Sequence, residues 1–537
     1  MPDPEVNKFL PPVALWPQRD CTAAGLSYPE KLNAAEELVR RNLESGFGSK
    51  VAIYYGHEQI TYRELHQAVR RLAGALAARG VGKGDRVLLR LPNTPDFIYS
   101  WLAVLHLGAI AVATVPLLRE REMEKILRDA AIKTAIVESG FLVEAEKVRT
   151  RVPALRDVLI AGEKRAGYPH VRELMAQATH EVDAEHTRRD DIAVLAYTSG
   201  STGDPKGTIH FHEDIVTIAD GLAREIFAIR PDDICAGHPT LAFTFGLGGL
   251  LVFPFRFGAS TVMLDRFTPQ LMLQTLKDYQ ATLAFCAPTC FHMILDLNEP
   301  GDLSSLRLGI TSGAALPPVT YRRWRERYDS ELLEGIGATE LLHMFICNRP
   351  GQVKPGSCGK VVSGYEATVL DENLNPLPPG TEGLLAVRGP TGCRYWNKID
   401  RQQEYVQGGW NLTGDIFTQD TDGHFWFRCR RDDIIVSAGY NIAGPEIENV
   451  LLEHPAVQEA AVVGVPDELR GQVVKAFVVL RLGFSGDEKM LVQLQDFVKQ
   501  ELAPYKYPRQ VEFVRELPHT PTGKIQRFRL RQHKSLL

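Results

Sequence analysis

Two rhythms of hydrophobic and polar positions run through the first 330 residues. Short apolar runs read as buried strands: RVLLRL (86–91), KTAIVES (133–139), DVLIAG (157–162), ASTVMLD (259–265), ATLAFCAP (281–288) and RLGITSG (307–313). Helical or loop stretches separate them. Strand–helix alternation of this kind predicts an α/β fold with largely parallel sheets. Thr61 followed by Glu64 predicts a capping box at the head of an Ala-rich helix over 62–79, with Glu58 in the preceding turn and Gly80 as the stop. One helix is expected over 33–44. After about residue 355 the texture changes. EATVLD (366–371), GLLAVRG (383–389) and FTQDTDGHFWFRCR (417–430) read as short strands and hairpins. From 432 a compact α+β pattern begins. The expected architecture is a large N-terminal domain of stacked α/β sheets plus a β-barrel-like subdomain (1–431), and a small mobile α+β C-terminal domain (432–537).

The 22 residues from Phe97 to Leu118 carry no formal charge and are long enough to span a bilayer. His106, Gly108 and Pro116 interrupt them, so they read better as a buried helix, a glycine cap and a strand. Composition excludes further classes. The 537 residues are 44% hydrophobic and 24% charged, with net charge −5, so the chain is neither disordered nor a basic nucleic-acid binder. The eight cysteines include no C-x-x-C pair. Cys286 and Cys290 lie in an apolar run and read as buried free thiols rather than metal ligands. Without an export signal, the expectation is a cytoplasmic protein that binds neither membrane nor nucleic acid, with a homodimer left open.

The sharpest local feature is Tyr197-Thr-Ser-Gly-Ser-Thr-Gly-Asp-Pro-Lys-Gly207, following an apolar strand. Its glycines let successive N–H groups converge on an anion, its hydroxyls add donors and Lys206 adds charge. That composition suits a polyphosphate. It is not a Walker A loop, because Pro205 precedes the lysine and Gly207 follows it. A second segment, Glu334-Gly-Ile-Gly-Ala-Thr-Glu340, has glycines that admit close approach and a hard oxygen ligand in Glu340 suited to Mg²⁺. A third, Gly409-Trp-Asn-Leu-Thr-Gly-Asp415, offers a carboxylate for two vicinal hydroxyls; the following DTDG (420–423) is a β-turn rather than a calcium loop. Two more are Arg428-Cys-Arg-Arg-Asp-Asp433 and the lysine loop Pro521-Thr-Gly-Lys-Ile-Gln-Arg527.

Together and in this order the segments resemble the motifs of the adenylate-forming enzymes: acyl- and aryl-CoA ligases, luciferases and peptide-synthetase adenylation domains. The resemblance covers about residues 50 to 530. It implies a reaction in which ATP and Mg²⁺ activate a carboxylate as an acyl-adenylate and coenzyme A then takes the acyl group. It implies ATP or AMP contacts from Thr198, Ser199, Gly200, Ser201, Thr202, Gly203 and Lys206. Further nucleotide contacts are implied for Gly313, Ala314 and Ala315, for Glu334, Gly335, Ile336, Gly337 and Thr339, and for Asp415 at the ribose and Arg430. Lys524, Glu340 and Thr198 are the implied catalytic residues, with Glu340 on the metal. Asp432 would be the hinge about which the small domain turns. Ser437, Ala438, Gly439 and Tyr440 would line the coenzyme A path. Cys429 stands where the family carries glycine, which leaves the local backbone open.

Leu241-Ala-Phe-Thr-Phe-Gly-Leu-Gly-Gly249 occupies the acid-pocket position. Phe243, Thr244, Phe245, Gly246 and Ile336 suit an aromatic ring better than a long chain. His343 reads either as a pocket residue or as a core histidine. LPPVALWP, WLAVLHLGAIAVATVPLLRERE and LAFTFGLGG look most like 2-aminobenzoate-CoA ligases, with benzoate-CoA ligases as the alternative. Two rivals are an enzyme loading a free carrier protein and a nucleotide sensor without catalysis.

Overall fold

The computed structural model describes residues 4–19, 25–178, 181–199, 205–297, 301–437, 440–467, 470–503, 505–520 and 524–532. Its strands form four sheets. A six-stranded sheet runs in the order Asp157–Ala161, Thr134–Glu138, Arg86–Arg90, Ile110–Ala113, Ile192–Ser199, Pro205–Phe211. All its pairings are parallel except the last, an antiparallel hairpin. A nine-stranded sheet is parallel through Glu331–Gly337, Leu308–Thr311, Leu283–Phe285, Ile234–Gly237, Ser260–Val262 and Val51–Tyr55, with antiparallel edges. The alternation read from the sequence is therefore present as two stacked α/β sheets.

The layer between them is helical. Helix Tyr62–Ala77 opens on the expected capping box: Thr61 Oγ1 accepts from the Glu64 N–H at 3.2 Å and Glu64 Oε2 accepts from the Thr61 N–H at 2.8 Å. Glu58 begins the strand Glu58–Thr61 rather than sitting in the turn. Helix Pro95–His106 is buried at every residue, because it packs on strands Arg86–Arg90 and Ile110–Ala113 and is covered by helices Tyr62–Ala77 and Ala34–Leu38. Gly108, at φ +66°, turns the chain into strand Ile110–Ala113, so the uncharged 22-residue run is a core helix and strand. No helix among the described residues is long and apolar enough to cross a membrane. The core is continuous from Ile53 of the larger sheet through Leu65, Phe97 and Trp101 to Val87 and Leu89 of the smaller one. Outer helices cover the far faces. The helix expected over 33–44 is two, Ala34–Leu38 and Arg40–Glu44, broken where Val39 leaves helical geometry.

The third sheet, from 366 to 430, is antiparallel, and a helix the sequence reading omitted, Ile399–Tyr405, interrupts it. Its hairpin turn is DTDG: the Gly423 N–H donates to Asp420 O at 3.0 Å, and Lys354 Nζ neutralises Asp420 and Asp422 at 3.0 and 2.6 Å. Cys429 lies in extended strand Phe425–Arg430, a conformation open to any residue. The fourth sheet holds Ile435–Ser437, Tyr440–Ile442, Val457–Asp467, Gly471–Leu480 and Gln510–Phe513, with helices Gly444–Glu453 and Glu488–Glu501 on its core side. This unit meets the rest through polar contacts, including Arg481 on Asp296 at 2.8 Å and Arg322 on Glu453 at 3.2 Å.

Candidate active site

Four neighbouring parallel strands end on one edge of the nine-stranded sheet: Ile234–Gly237, Leu283–Phe285, Leu308–Thr311 and Glu331–Gly337. Open parallel sheets bind ligands at such carboxyl ends. Thr311 pairs with Glu334, so segments 312–317 and 335–340 leave the sheet side by side. Gly313 and Ala314 are exposed there and Ala315 is half-buried. Gly335 and Gly337 answer to a different need from the one read in the sequence. A Cβ at Gly335 would meet Met344 Sδ at 2.6 Å, and one at Gly337 the His343 backbone at 2.7 Å, so both are required by the antiparallel strand Met344–Cys347.

Glu334 is buried, with its carboxyl beside the Leu316 N–H and the Cys358 thiol. Burial pushes it up to about 8 against those two hydrogen bonds. Folded Glu334 therefore keeps a proton that the unfolded chain releases above the ordinary glutamate range. Stability must fall as pH rises from about 4.5 to about 8. Glu334→Gln removes that penalty. Its melting temperature should match wild type near pH 5 and exceed it by a few degrees at pH 9; parallel pH–melting curves would refute the assignment.

The described residues on either side of the glycine-rich loop are antiparallel strands. Strands Ile192–Ser199 and Pro205–Phe211 pair Tyr197 with Gly207 and Thr198 with Lys206. A strand, not a helix, follows the loop, which sets it apart from a Walker A loop. Gly200, Ser201, Thr202 and Gly203 lie outside the described residues, as does the Ser199 side chain. Segment 394–396 laces the outgoing strand: the Ile209 N–H donates to Arg394 O and the Trp396 N–H to Gly207 O, each at 2.8 Å. This carries Tyr395 into the site. Lys206 Nζ stands 5.7 Å from the Tyr395 ring centroid, and the Tyr395 hydroxyl donates to Glu340 Oε1 at 2.6 Å. Sequence reasoning missed Tyr395, which sits in a loop with no motif of its own. Thr339 and Glu340 lie in a short 3₁₀ turn after Gly337. Tyr395 thus touches both Lys206 and Glu340, a cation for phosphate and a hard oxygen donor, so the residues fit a magnesium–phosphate group.

Asp415 and Arg430 face each other across two antiparallel strands, with Arg430 Nη1 3.1 Å from Asp415 Oδ1. Burial raises the Asp415 carboxyl, opposed by Arg430 and then by Lys524. Lys524 comes from the C-terminal unit. Its Cε lies 3.3 Å from where a Cβ on Gly313 would stand. It keeps some accessible surface, yet protein walls its amine closely enough that desolvation lowers its pKa, against the pull of Asp415 and Glu340. The structure thus gathers Gly313, Asp415, Arg430, Glu340 and Lys524.

The acid-side residues form an aromatic cluster. Phe243, Thr244 and Phe245 cap and open helix Thr244–Leu247. The His343 ring lies 5.8 Å from Phe245 and 4.6 Å from Phe253, and Phe285 closes on both phenylalanines at 6.1 and 6.2 Å. Phe253 and Phe285 were absent from the sequence reading. Burial pushes the His343 imidazole down to about 3, so it is neutral. Neither of its ring nitrogens makes a hydrogen bond of normal geometry. A Cβ on Gly248 would stand 2.3 Å from His343 Cδ2, so the imidazole rests on that glycine.

Of the residues expected to line the coenzyme A path, the two that are described, Ser437 and Tyr440, are not at this site. Ser437 is buried beside Gly471, and Tyr440 stacks on Tyr505 at 4.3 Å within the C-terminal unit. Ala438 and Gly439 lie outside the described residues, as does the Asp432 side chain; its backbone sits in a 3₁₀ turn, Arg431–Asp433.

Residues 41–396 match the family model described as AMP-binding enzyme, and 446–524 match AMP-binding enzyme C-terminal domain. The chain is 37% identical to a benzoate–CoA ligase of Thauera aromatica, over 95% of this chain and 98% of that one. Among solved structures it superposes on the anthranilate CoA ligase AuaEII in complex with anthranoyl-AMP with TM-score 0.91 and 36% identity, covering 94% and 98% of the two chains. For a benzoate CoA ligase from Burkholderia xenovorans LB400 the values are 0.86 and 32%, with 93% and 100% covered. An ordered set of nucleotide-type motifs, matched along nearly the whole chain, places this protein in the AMP-binding, adenylate-forming enzyme family as an acid–thiol ligase.

Proposed function

We propose that the chain is an ATP-dependent aryl-CoA ligase whose acid is 2-aminobenzoate, with benzoate as the alternative. The observation that carries the reading is the aromatic cluster around His343, whose backbone abuts Gly337 at the end of the nucleotide-side strand. A flat ring packed there would hold its carboxylate toward Lys524. Carboxylate oxygen attacks the α-phosphorus, the bond to the β-phosphate breaks and pyrophosphate leaves. The thiol sulfur of coenzyme A then attacks the acyl carbon, AMP departs and the thiol proton is released.

The residues have distinct tasks in this scheme. Thr198, Lys206 and the 199–203 loop cradle the β- and γ-phosphates. Asp415 accepts from the ribose hydroxyls, and Arg430 orients Asp415. Lys524 spans the carboxylate and α-phosphate oxygens, where charge builds. Glu340, oriented by Tyr395, would hold magnesium, which when bound neutralises phosphate charge. Rotation at Asp432 would withdraw Lys524 and bring Ser437–Tyr440 in for the thiol step. The polar contacts of the C-terminal unit suit such a motion.

Support for the 2-amino group comes from the buried, neutral imidazole of His343: with one ring nitrogen directed to the Phe245 backbone, the other is an acceptor for an ortho N–H. A panel of aryl and alkyl acids assayed for ATP- and CoA-dependent AMP release tests the reading. Aryl acids should exceed alkyl acids, and 2-aminobenzoate should lead. In His343→Leu the 2-aminobenzoate/benzoate ratio of kcat/KM should fall by about tenfold, the worth of one hydrogen bond to a buried partner. Preference for benzoate with an unchanged ratio selects the alternative; preference for alkyl acids overturns both.

A further inference from the structure

The parallel strands Ile234–Gly237 and Leu283–Phe285 pair in register, from Cys235 with Leu283 to Gly237 with Phe285. The next residue of each strand, His238 and Cys286, therefore leaves the sheet beside the other. Helix Pro288–Asp296 starts at once, with Cys290 in its first turn. One ligand atom from each of His238, Cys286 and Cys290 lies within 4.8 Å of the other two. Both thiols are buried, and the His238 Nδ1 is buried without a hydrogen bond of normal geometry. The His238 backbone N–H donates toward the Cys286 sulfur, and Phe267 packs on the imidazole at 4.4 Å, fixing the ring. None of these three residues has a part in the proposed reaction.

We propose that His238, Cys286 and Cys290 bind one thiophilic divalent cation, zinc in the first instance. Two thiolates and one imidazole form a soft donor set that favours zinc over magnesium or calcium. Tetrahedral zinc holds its sulfurs about 3.8 Å apart, given bonds near 2.3 Å, so the cluster needs only a small contraction. Two thiolates also cancel the charge of the ion, so the occupied site buries no net charge. Metal binding displaces the two thiol protons to solvent. His238 is partly exposed, which gives the ion a way in, and a fourth position stays open for water or another ligand. The sequence hid the site because three residues, not two, separate its cysteines and the histidine comes from another strand.

The test is zinc loading of the full chain, dialysis against metal-free buffer and elemental analysis. A chromophoric-chelator competition gives the affinity, and cobalt substitution reads thiolate ligation by its charge-transfer absorption. Wild type should retain one equivalent of zinc and show the cobalt–thiolate band. Cys290→Ser and His238→Ala should bind zinc about tenfold or more weakly, and Cys235→Ser should behave as wild type. Cys290→Ala, with its melting curve compared to wild type, separates ligand loss from misfolding. The competition titration of the unaltered protein needs no variant. The proposal is overturned if wild type retains no more zinc than the Cys286→Ser/Cys290→Ser double variant. It is equally overturned if a Cys286–Cys290 disulfide forms as fast with zinc present as without it.

Discussion

Lys524→Ala should slow acyl-adenylate formation by about 10³-fold while leaving thioester formation from supplied acyl-adenylate within about threefold of wild type. The first figure corresponds to about 4 kcal/mol of transition-state stabilisation, the scale seen when one charged or hydrogen-bonding group aimed at developing charge is removed. Lys524 comes from the C-terminal unit and stands among Gly313, Asp415, Arg430 and Glu340. Its loss leaves the nucleotide side assembled but deprives the attacking carboxylate and the α-phosphate of a shared cation. In the proposed scheme the second half-reaction would expel AMP after the small unit has turned, so it would not use this amine. Pyrophosphate release and single-turnover thioester formation, measured separately, decide the matter. Equal loss in both would remove Lys524 from the adenylation step.

Gly248→Val should reduce kcat/KM for the aromatic acid by about 100-fold without changing protection of the enzyme by ATP against thermal unfolding. The added Cβ would stand 2.3 Å from His343 Cδ2 and 2.5 Å from Nε2. The ring cannot stay. It is hemmed in by Phe245 and Phe253, so it must shift with them or push the helix away. Overpacking of this kind costs about 1–3 kcal/mol, and an ångström of misplacement in a reacting group costs about 10²-fold in rate. Gly248→Ala should act in the same direction because the Cβ alone makes the clash. Unchanged acid kinetics in both variants would show that His343 does not border the acid.

The parts of this molecule that were legible in its sequence are those whose physics is local. The capping box at Thr61 and Glu64, the buried run from Phe97 to Leu118 and the hairpin at DTDG each depend on residues within a few positions of one another. The nucleotide-type motifs were legible for the same reason: each is a short loop between regular elements. What escaped depends on distant partners. Tyr395 reaches Glu340 only because a loop 55 residues later is laced to strand Pro205–Phe211. Gly335 and Gly337 looked like room for a ligand, but the constraint on them comes from the returning strand Met344–Cys347. Phe253 and Phe285 carry no motif and meet His343 through packing alone. His238 and Cys286 became neighbours through strand register, which single-sequence periodicity does not encode.

Helix Pro95–His106, buried along its whole length inside the large body, has a consequence for how the protein comes apart. Phe97 and Trp101 belong to one hydrophobic core that reaches residues of both sheets, so the large body should open as one cooperative block. The C-terminal unit, held largely by ion pairs such as Arg481 with Asp296, is under no such obligation. Backbone amides in the two regions should therefore exchange with solvent on separate clocks, fast in the unit that carries Lys524 and slow in the body that receives it.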